Sequence, residues 1–333
     1  LIGYRAIGMV VVTTIFNVVT LLINYWYCKK RLKIQVRFGH FQWGFFKEVS
    51  VYSFWIFLNA IMDRIYWSTG QFVLGMFKGA AVVAVYAVAI QLQAIYMGFS
   101  TAISGVFLPK VTAMVTKENN EKAISDLFIR TGRIQYIIIA FILTGFVVFG
   151  KSFIRLWAGS DYEDAYGITL CFFIPMTVPL IQNLGIIILQ ARNQMKFRST
   201  LYVVIAFVSL VISIPLSKQY GGIGCAISIA LALTTGQIIV MNIYYHRVIH
   251  IDILDFWKEI GKMSLVPFAI GSLSFYLFCI YEIHTVQIFI VCIFAFSCIY
   301  VPLFWFFGMN AYEKELFVSP VRRFVGRLQK NLQ

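Results

Sequence analysis

Charge is scarce in this sequence, and acidic charge most of all: 14 of the 333 residues are Asp or Glu, against 28 Lys and Arg. Charged residues make up 13% of the chain and apolar ones 60%, with a mean hydropathy of +0.81. That balance excludes an ordinary water-soluble domain and indicates a polytopic membrane protein. Histidine is rare as well. His246 and His250 stand four apart, but no carboxylate or cysteine cluster joins them, so no metal site is expected. The six cysteines (Cys28, Cys171, Cys225, Cys279, Cys292 and Cys298) lie in or at the ends of apolar runs without CxxC spacing. They read as small hydrophobes, which excludes a disulfide framework. There is no P-loop, no GxSxG and no HExxH, and the connections between apolar runs are too short for a soluble catalytic domain. The expectation is a protein that is not an enzyme and carries no cofactor. The first residue is Leu1 and no cleavable secretory signal follows, so the sequence reads as a fragment lacking its true start.

What the sequence has in abundance is apolar runs near the roughly 20 residues that a membrane helix needs. Nine spans can be drawn, at about 6–27, 49–77, 82–108, 134–150, 166–190, 200–216, 221–245, 263–281 and 285–307. The connections between them alternate in charge. One side collects 22 basic residues, including Lys29, Lys30, Arg31, Lys33, Arg37, Lys110, Arg133, Arg192, Lys196, Arg198, Arg322 and Arg323, while the other holds Lys78, Lys151, Arg155 and Lys218. The positive-inside rule places the rich side and the C-terminus in the cytoplasm. Most of the net charge of +14 is then topology, with a secondary attraction to anionic lipid, and no nucleic-acid partner is expected. The first span runs inward, so an odd number of spans would precede it if the true N-terminus is cytoplasmic.

The run 49–77 carries Asp63 and Arg64 at its centre, each costing about 2.5–3.5 kcal/mol there on insertion scales. At about 100° per residue, Phe54, Leu58, Ile61, Ile65, Phe72 and Met76 share an uncharged arc suited to lipid. Tyr52, Asn59, Asp63, Tyr66 and Gly70 line a second stripe, and Ser53, Ala60, Arg64, Ser68 and Gln71 a third. Two roles fit the charged pair: structural ion pairing with neighbouring helices, or a solute pathway.

Other spans carry weaker signals. Tyr86, Gln93, Met97, Ser100 and Ser104 share one face of the third span and suit interhelical hydrogen bonds, with Gln93 open to a pathway role. Pro175 and Pro179, one turn apart in the fifth span, mark a kink that would serve as a hinge or be inert. Gln182 and Asn183 follow as further pathway candidates. Gly222, Ala226, Ala230 and Thr234 form a small-residue seam for close helix packing.

Several motifs together resemble a known family. Asp63-Arg64-Ile65-Tyr66, Gly70, Leu74-Gly75, Val85-Tyr86-Ala87-Val88-Ala89 and Pro109 resemble the seventh and eighth helices of bacterial oligosaccharide flippases, of the multidrug/oligosaccharidyl-lipid/polysaccharide exporter superfamily. Leu156-Trp157-Ala158-Gly159-Ser160-Asp161-Tyr162, Gln190-Ala191-Arg192-Asn193 and Gly221-Gly222-Ile223-Gly224-Cys225-Ala226 resemble later segments in the same order. The resemblance implies an all-α membrane bundle: a last N-lobe helix (1–27), a cytoplasmic basic linker (28–48), a MATE-like C-terminal six-helix lobe (49–245), a cytoplasmic loop (246–262), an additional helix pair (263–307) and a basic tail (308–333). It also implies five missing spans.

The implied function is translocation of a lipid-linked oligosaccharide, on undecaprenyl pyrophosphate, across the bacterial inner membrane for lipopolysaccharide or O-antigen assembly. Arg64, Asp63, Asn59, Gln71 and Gln93 are the expected substrate-binding residues. Arg64 suits a phosphate, and Asp63 suits orienting Arg64 or sensing H+ or Na+ as coupling ion. The lipid bilayer and other polysaccharide-assembly proteins are the expected partners. The alternatives are a cation-coupled multidrug exporter, an O-antigen-type polymerase and a non-transporting assembly partner.

Overall fold

The computed structural model describes residues 5–31, 42–117, 121–279, 283 and 285–319. Among the described residues there is no strand, and helices follow one another throughout: α1 Arg5–Lys30, α2 Trp43–Phe77, α3 Ala80–Gly105, α4 Leu108–Lys117, α5 Glu121–Trp157, α6 Ala165–Ile181, α7 Leu184–Ala191, α8 Met195–Ala232, α9 Met241–Arg247, α10 Ile253–Cys279 and α11 Val286–Leu303. Two π-helical segments, Leu233–Val240 and Phe304–Gly308, extend α8 and α11, and residues 311–319 are helical. The expected all-α membrane bundle is what the chain forms. Lys33, Arg37, His40, His284, Arg322, Arg323, Arg327 and Lys330 lie outside the described residues.

Among the described residues six helices are long and apolar enough to cross a membrane: Val10–Lys30, Ala80–Gly105, Glu121–Trp157, Met195–Arg247, Ile253–Phe278 and Val286–Gly308. The pair α6 and α7, bent by 47°, makes a seventh. The difference from nine has two physical sources. Met195–Arg247 carries two of the expected runs on one track, broken at Gly221 (φ 60°, ψ −135°). Only glycine takes that backbone without strain. A Cβ on Gly224 would overlap the Leu216 carbonyl, so the two arms meet in a tight turn. The other source is α2, which is helical over 35 residues but whose apolar character is diluted by Asn59, Asp63 and Arg64. Pro109 sits in the first turn of the short helix α4, where its missing N–H costs nothing.

The chain divides into two units, Leu1–Val51 and Tyr52–Gln333. In the first, α1 is apolar apart from a stripe of Thr13, Asn17, Thr20 and Asn24, and ends with Lys29 and Lys30 over the rings of Tyr25 and Trp26, at 5.9 and 5.1 Å. In the second, α5 packs against α3, α6, α10 and α11, and α6 packs against α3 and α8. Aromatic rings fill the joints. Tyr96 stacks on Phe173 at 4.1 Å, and Phe128 lies between Tyr245 and Phe256. Gly70 lets α2 and α3 approach, since a Cβ there would overlap the Tyr86 hydroxyl. The small-residue seam on α8 packs as expected at its first two positions: Gly222 and Ala226 are buried, with Gly222 against Ile168 of α6.

A buried ion cluster ties helix 311–319 to α5 and α10. Arg133 of α5 grips Glu313 bidentately, Nε donating to Oε1 at 2.5 Å and one terminal nitrogen to Oε2 at 3.0 Å. Its other terminal nitrogen donates to Glu259 of α10 at 2.7 Å. Asn310 and Glu313 cap helix 311–319 reciprocally: Asn310 N donates to Glu313 Oε2 and Glu313 N to Asn310 Oδ1, both at 2.9 Å. Arg133 is 5% exposed and Glu313 1% exposed, so this is a desolvated charge cluster and not a surface pair.

Candidate functional site

Between α2, α3, α6, α7, α8 and the π-helical segment Leu233–Val240 lies a cavity of about 320 Å³. Its polar lining comes from Asn59 and Asp63 of α2, Thr101 of α3, Asn183 at the α6–α7 bend, Gln190 of α7, Arg198 and Tyr202 of α8, and Gln237 of the π-helical segment. Each position follows from local structure. Asn59 and Asp63 are one turn apart and share a face of α2. Arg198 and Tyr202 are one turn apart on α8, with the guanidinium 4.7 Å from the ring centroid. A π-helical stretch is rare and widens the helix, which sets Gln237 toward the cavity; such segments are frequent at functional sites.

Asn59 joins the two walls. Its Oδ1 accepts from an Arg198 terminal nitrogen at 2.6 Å, and its Nδ2 donates to the Trp55 carbonyl at 3.0 Å and to Ser199 Oγ. Ser199 Oγ in turn donates to the Trp55 carbonyl at 3.0 Å. One turn beyond Asp63, Tyr66 OH donates to the Ile229 carbonyl at 2.9 Å, tying α2 to the far arm of α8. Asp63 and Arg198 face the same space yet form no ion pair with each other among the salt bridges of the described residues. Two buried donors, Arg198 Nε and Gln237 Nε2, have no hydrogen-bond partner. The cavity therefore offers one cation, one anion and the Trp67 side chain within a mostly apolar lining.

The residues expected from sequence separate here. Asn59 is buried and Asp63 half-buried, and both line the cavity. Arg64 is exposed and does not line it, because consecutive helical side chains diverge by about 100°. Gln71 is half-buried and lies off the cavity. Gln93 is buried against α6, its Nε2 donating to Met176 Sδ at 3.5 Å, and is also absent from the lining. The polar side of α2 divides: the stripe Asn59, Asp63, Tyr66 and Gly70 turns inward, because Gly70 seats against Tyr86 and Asn59 bonds α8. Asn183 lines the cavity while donating to Ser104 Oγ at 2.8 Å, and Gln182 donates to Asn242 Oδ1 at 2.8 Å. The bend after Pro175 and Pro179 falls at these two residues.

Sequence reasoning missed Arg198 and Gln237. Arg198 was counted among loop charges. A signal was present: Met195, Arg198, Tyr202 and Ile205 follow a helical repeat, and all but Arg198 suit a buried face. Gln237 gave none, since its orientation depends on the π-helical segment. Among the described residues no group of three His, Cys, Asp or Glu side chains comes together to hold a metal ion.

Fold and cavity define an all-helical polytopic membrane protein with a half-open cavity that holds one acidic and one basic side chain. A family model for polysaccharide biosynthesis proteins matches residues 1–167, half of the chain, and the chain belongs to that family, in agreement with the resemblance carried by its motifs. The matched region includes Asn59 and Asp63; Arg198 and Gln237 lie beyond it. No curated protein and no solved structure matches the chain.

Proposed function

We propose that this protein of polysaccharide biosynthesis is a flippase that moves a lipid-linked oligosaccharide across the bacterial cytoplasmic membrane, with its basic connections and C-terminus on the cytoplasmic side. It transports and does not catalyse. The observation that carries the reading is the cavity built on Asp63 and Arg198 inside an apolar helix bundle of this family. An ionisable group kept at the centre of a membrane helix, as Asp63 is, costs roughly 2.5–3.5 kcal/mol on insertion scales and marks a solute or ion pathway by default. Sugars need such polar walls, while a polyprenyl tail is content in lipid.

The two charges of α2 divide the work. Asp63 turns inward and shares its space with Arg198, so it is the coupling group, for H+ or Na+. Arg64 points outward from the lobe, where a guanidinium pairs bidentately with the phosphate of the lipid carrier. Surface glycan in cells making the full-length protein tests this. Asp63→Asn, Arg198→Gln and Arg64→Ala should each reduce surface glycan at unchanged membrane level. Wild-type display by all three would refute the reading.

A further inference from the structure

A second groove, mostly apolar and of about 410 Å³, lies between α5 and α10, apart from the cavity of Asp63 and Arg198. It runs wholly within uncharged helix. Its lining starts at Tyr136 and Ser264, three residues past Arg133 and two past Lys262, and ends at Val147 and Phe275. On each helix that is 11 steps of rise, about 16 Å at 1.5 Å per residue. The length matches the depth of one leaflet, half of a hydrocarbon core of about 30 Å. The floor is closed, since a Cβ on Gly271 would come within 2.9 Å of Thr144 Cγ2. The mouth is open, with Phe268 78% exposed and Phe275 exposed beside it. The groove therefore faces the bilayer and not the interior of the bundle.

Two features decide what fills it. The hydroxyls along its inner wall are already used: Tyr136 OH and Ser264 Oγ bond each other at 2.6 Å, Ser264 Oγ donates to the Ile260 carbonyl at 2.8 Å, and Thr144 Oγ1 donates to the Ala140 carbonyl at 2.7 Å. Little is left for water or a polar solute, so the groove suits hydrocarbon. Its width excludes another helix. Spread over that length, the volume averages about 25 Å² in cross-section, against about 80–110 Å² for a helix 10–12 Å in diameter. We propose that the groove holds one acyl chain of a bilayer phospholipid, from the leaflet at the Arg133 and Lys262 end. The glycerol esters then sit at the Tyr136–Ser264 pair and the headgroup at the level of the exposed Lys262 side chain. Such a lipid is a structural ligand: it fills the seam between α10 and α5 and supplies dispersion contacts that an empty groove forfeits. The site rests on the membrane placement of these two helices and not on the transport reading.

The experiment irradiates full-length protein in phospholipid nanodiscs that carry a trace of phosphatidylethanolamine with a mid-chain diazirine, and reads the labelled residues by mass spectrometry. Groove residues should be labelled about three- to tenfold more than Phe294, on the exposed face of α11, a preference of about 0.7–1.4 kcal/mol. Ser272→Phe fills the groove from its rim and should bring its label down to the Phe294 level. Val147→Phe, at the far end, is the second variant and should do the same. Ala295→Phe, on the exposed face of α11, should leave the groove label unchanged. Groove labelling no stronger than that of Phe294 in folded wild-type protein overturns the proposal. So does an undiminished groove label in both filled variants when they are correctly folded. Loss of the label on adding undecaprenyl phosphate as a minor component also overturns it, because the occupant is then a carrier lipid. None of these results bears on export, which the Asp63 and Arg198 variants measure separately.

Discussion

Replacing Arg133 by leucine removes the one cation that two buried or half-buried carboxylates share. Glu313 is 1% exposed and receives both Nε and a terminal nitrogen of Arg133, at 2.5 and 3.0 Å. Without Arg133 it keeps only the Asn310 backbone N–H, at 2.9 Å. Glu259 is less affected, because Lys262 donates to its other oxygen at 2.8 Å. Breaking a buried pair from one side costs about 3–5 kcal/mol. At about 2–4 °C per kcal/mol for large domains, Arg133→Leu should lower the melting temperature by about 6–20 °C. Removing Glu313 as well should recover much of the loss, because a well-packed apolar pair replaces a desolvated ionic one at little net cost. Thermal unfolding of the full-length protein in nanodiscs, followed by tryptophan fluorescence, measures both. A loss below about 1 kcal/mol for Arg133→Leu would refute the reasoning, as would a double variant Arg133→Leu/Glu313→Leu no more stable than the single one.

Three further outcomes follow from local structure. Asn59→Leu leaves the Arg198 terminal nitrogen without its 2.6 Å acceptor, so stability should fall by about 1.5–3 kcal/mol, the worth of a hydrogen bond to a charged group; urea unfolding in mild detergent reads the change. Gly221→Ala forces an L side chain into φ 60°, ψ −135° and should cost about 1–3 kcal/mol, read as a drop in melting temperature. Glu163 lies in the turn between α5 and α6, and the Arg155 hydrogen bond holds its carboxyl below the usual value of 4.5, with Lys151 adding to it. A depressed folded value means the pair stabilises the folded state above pH 4.5 and loses that contribution as pH falls through the depressed value. Glu163→Gln should therefore flatten the acid limb of the stability–pH curve, by less than about 1 kcal/mol for a solvent-screened pair.

Sequence reasoning reached the helices whose patterns are local and stopped where partners come from far along the chain. The stripe Asn59, Asp63, Tyr66 and Gly70 was readable from helical angle alone, and the structure buries three of its residues. Which way that stripe turns was not readable. It depends on Tyr86 seating over Gly70 and on Ser199, 140 residues away, receiving Asn59. Arg133 looked like one more loop charge because its acceptor Glu313 lies 180 residues on. Arg198 was hidden similarly: a basic residue near the end of a span obeys the topology rule whether it meets solvent or a cavity. The tight turn in α8 was placed at 217–220 and occurs at Gly221, where the backbone, not the polarity of Lys218 and Gln219, sets the break.

Translocation of a lipid-linked oligosaccharide by purified full-length protein in sealed proteoliposomes tests the central claim most directly. Wild-type protein should deliver glycan to the opposite leaflet. Asp63→Asn and Arg198→Gln, reconstituted at equal amounts, should each slow delivery at least about tenfold, the equivalent of about 1.4 kcal/mol. Delivery at the wild-type rate by both variants would contradict the account.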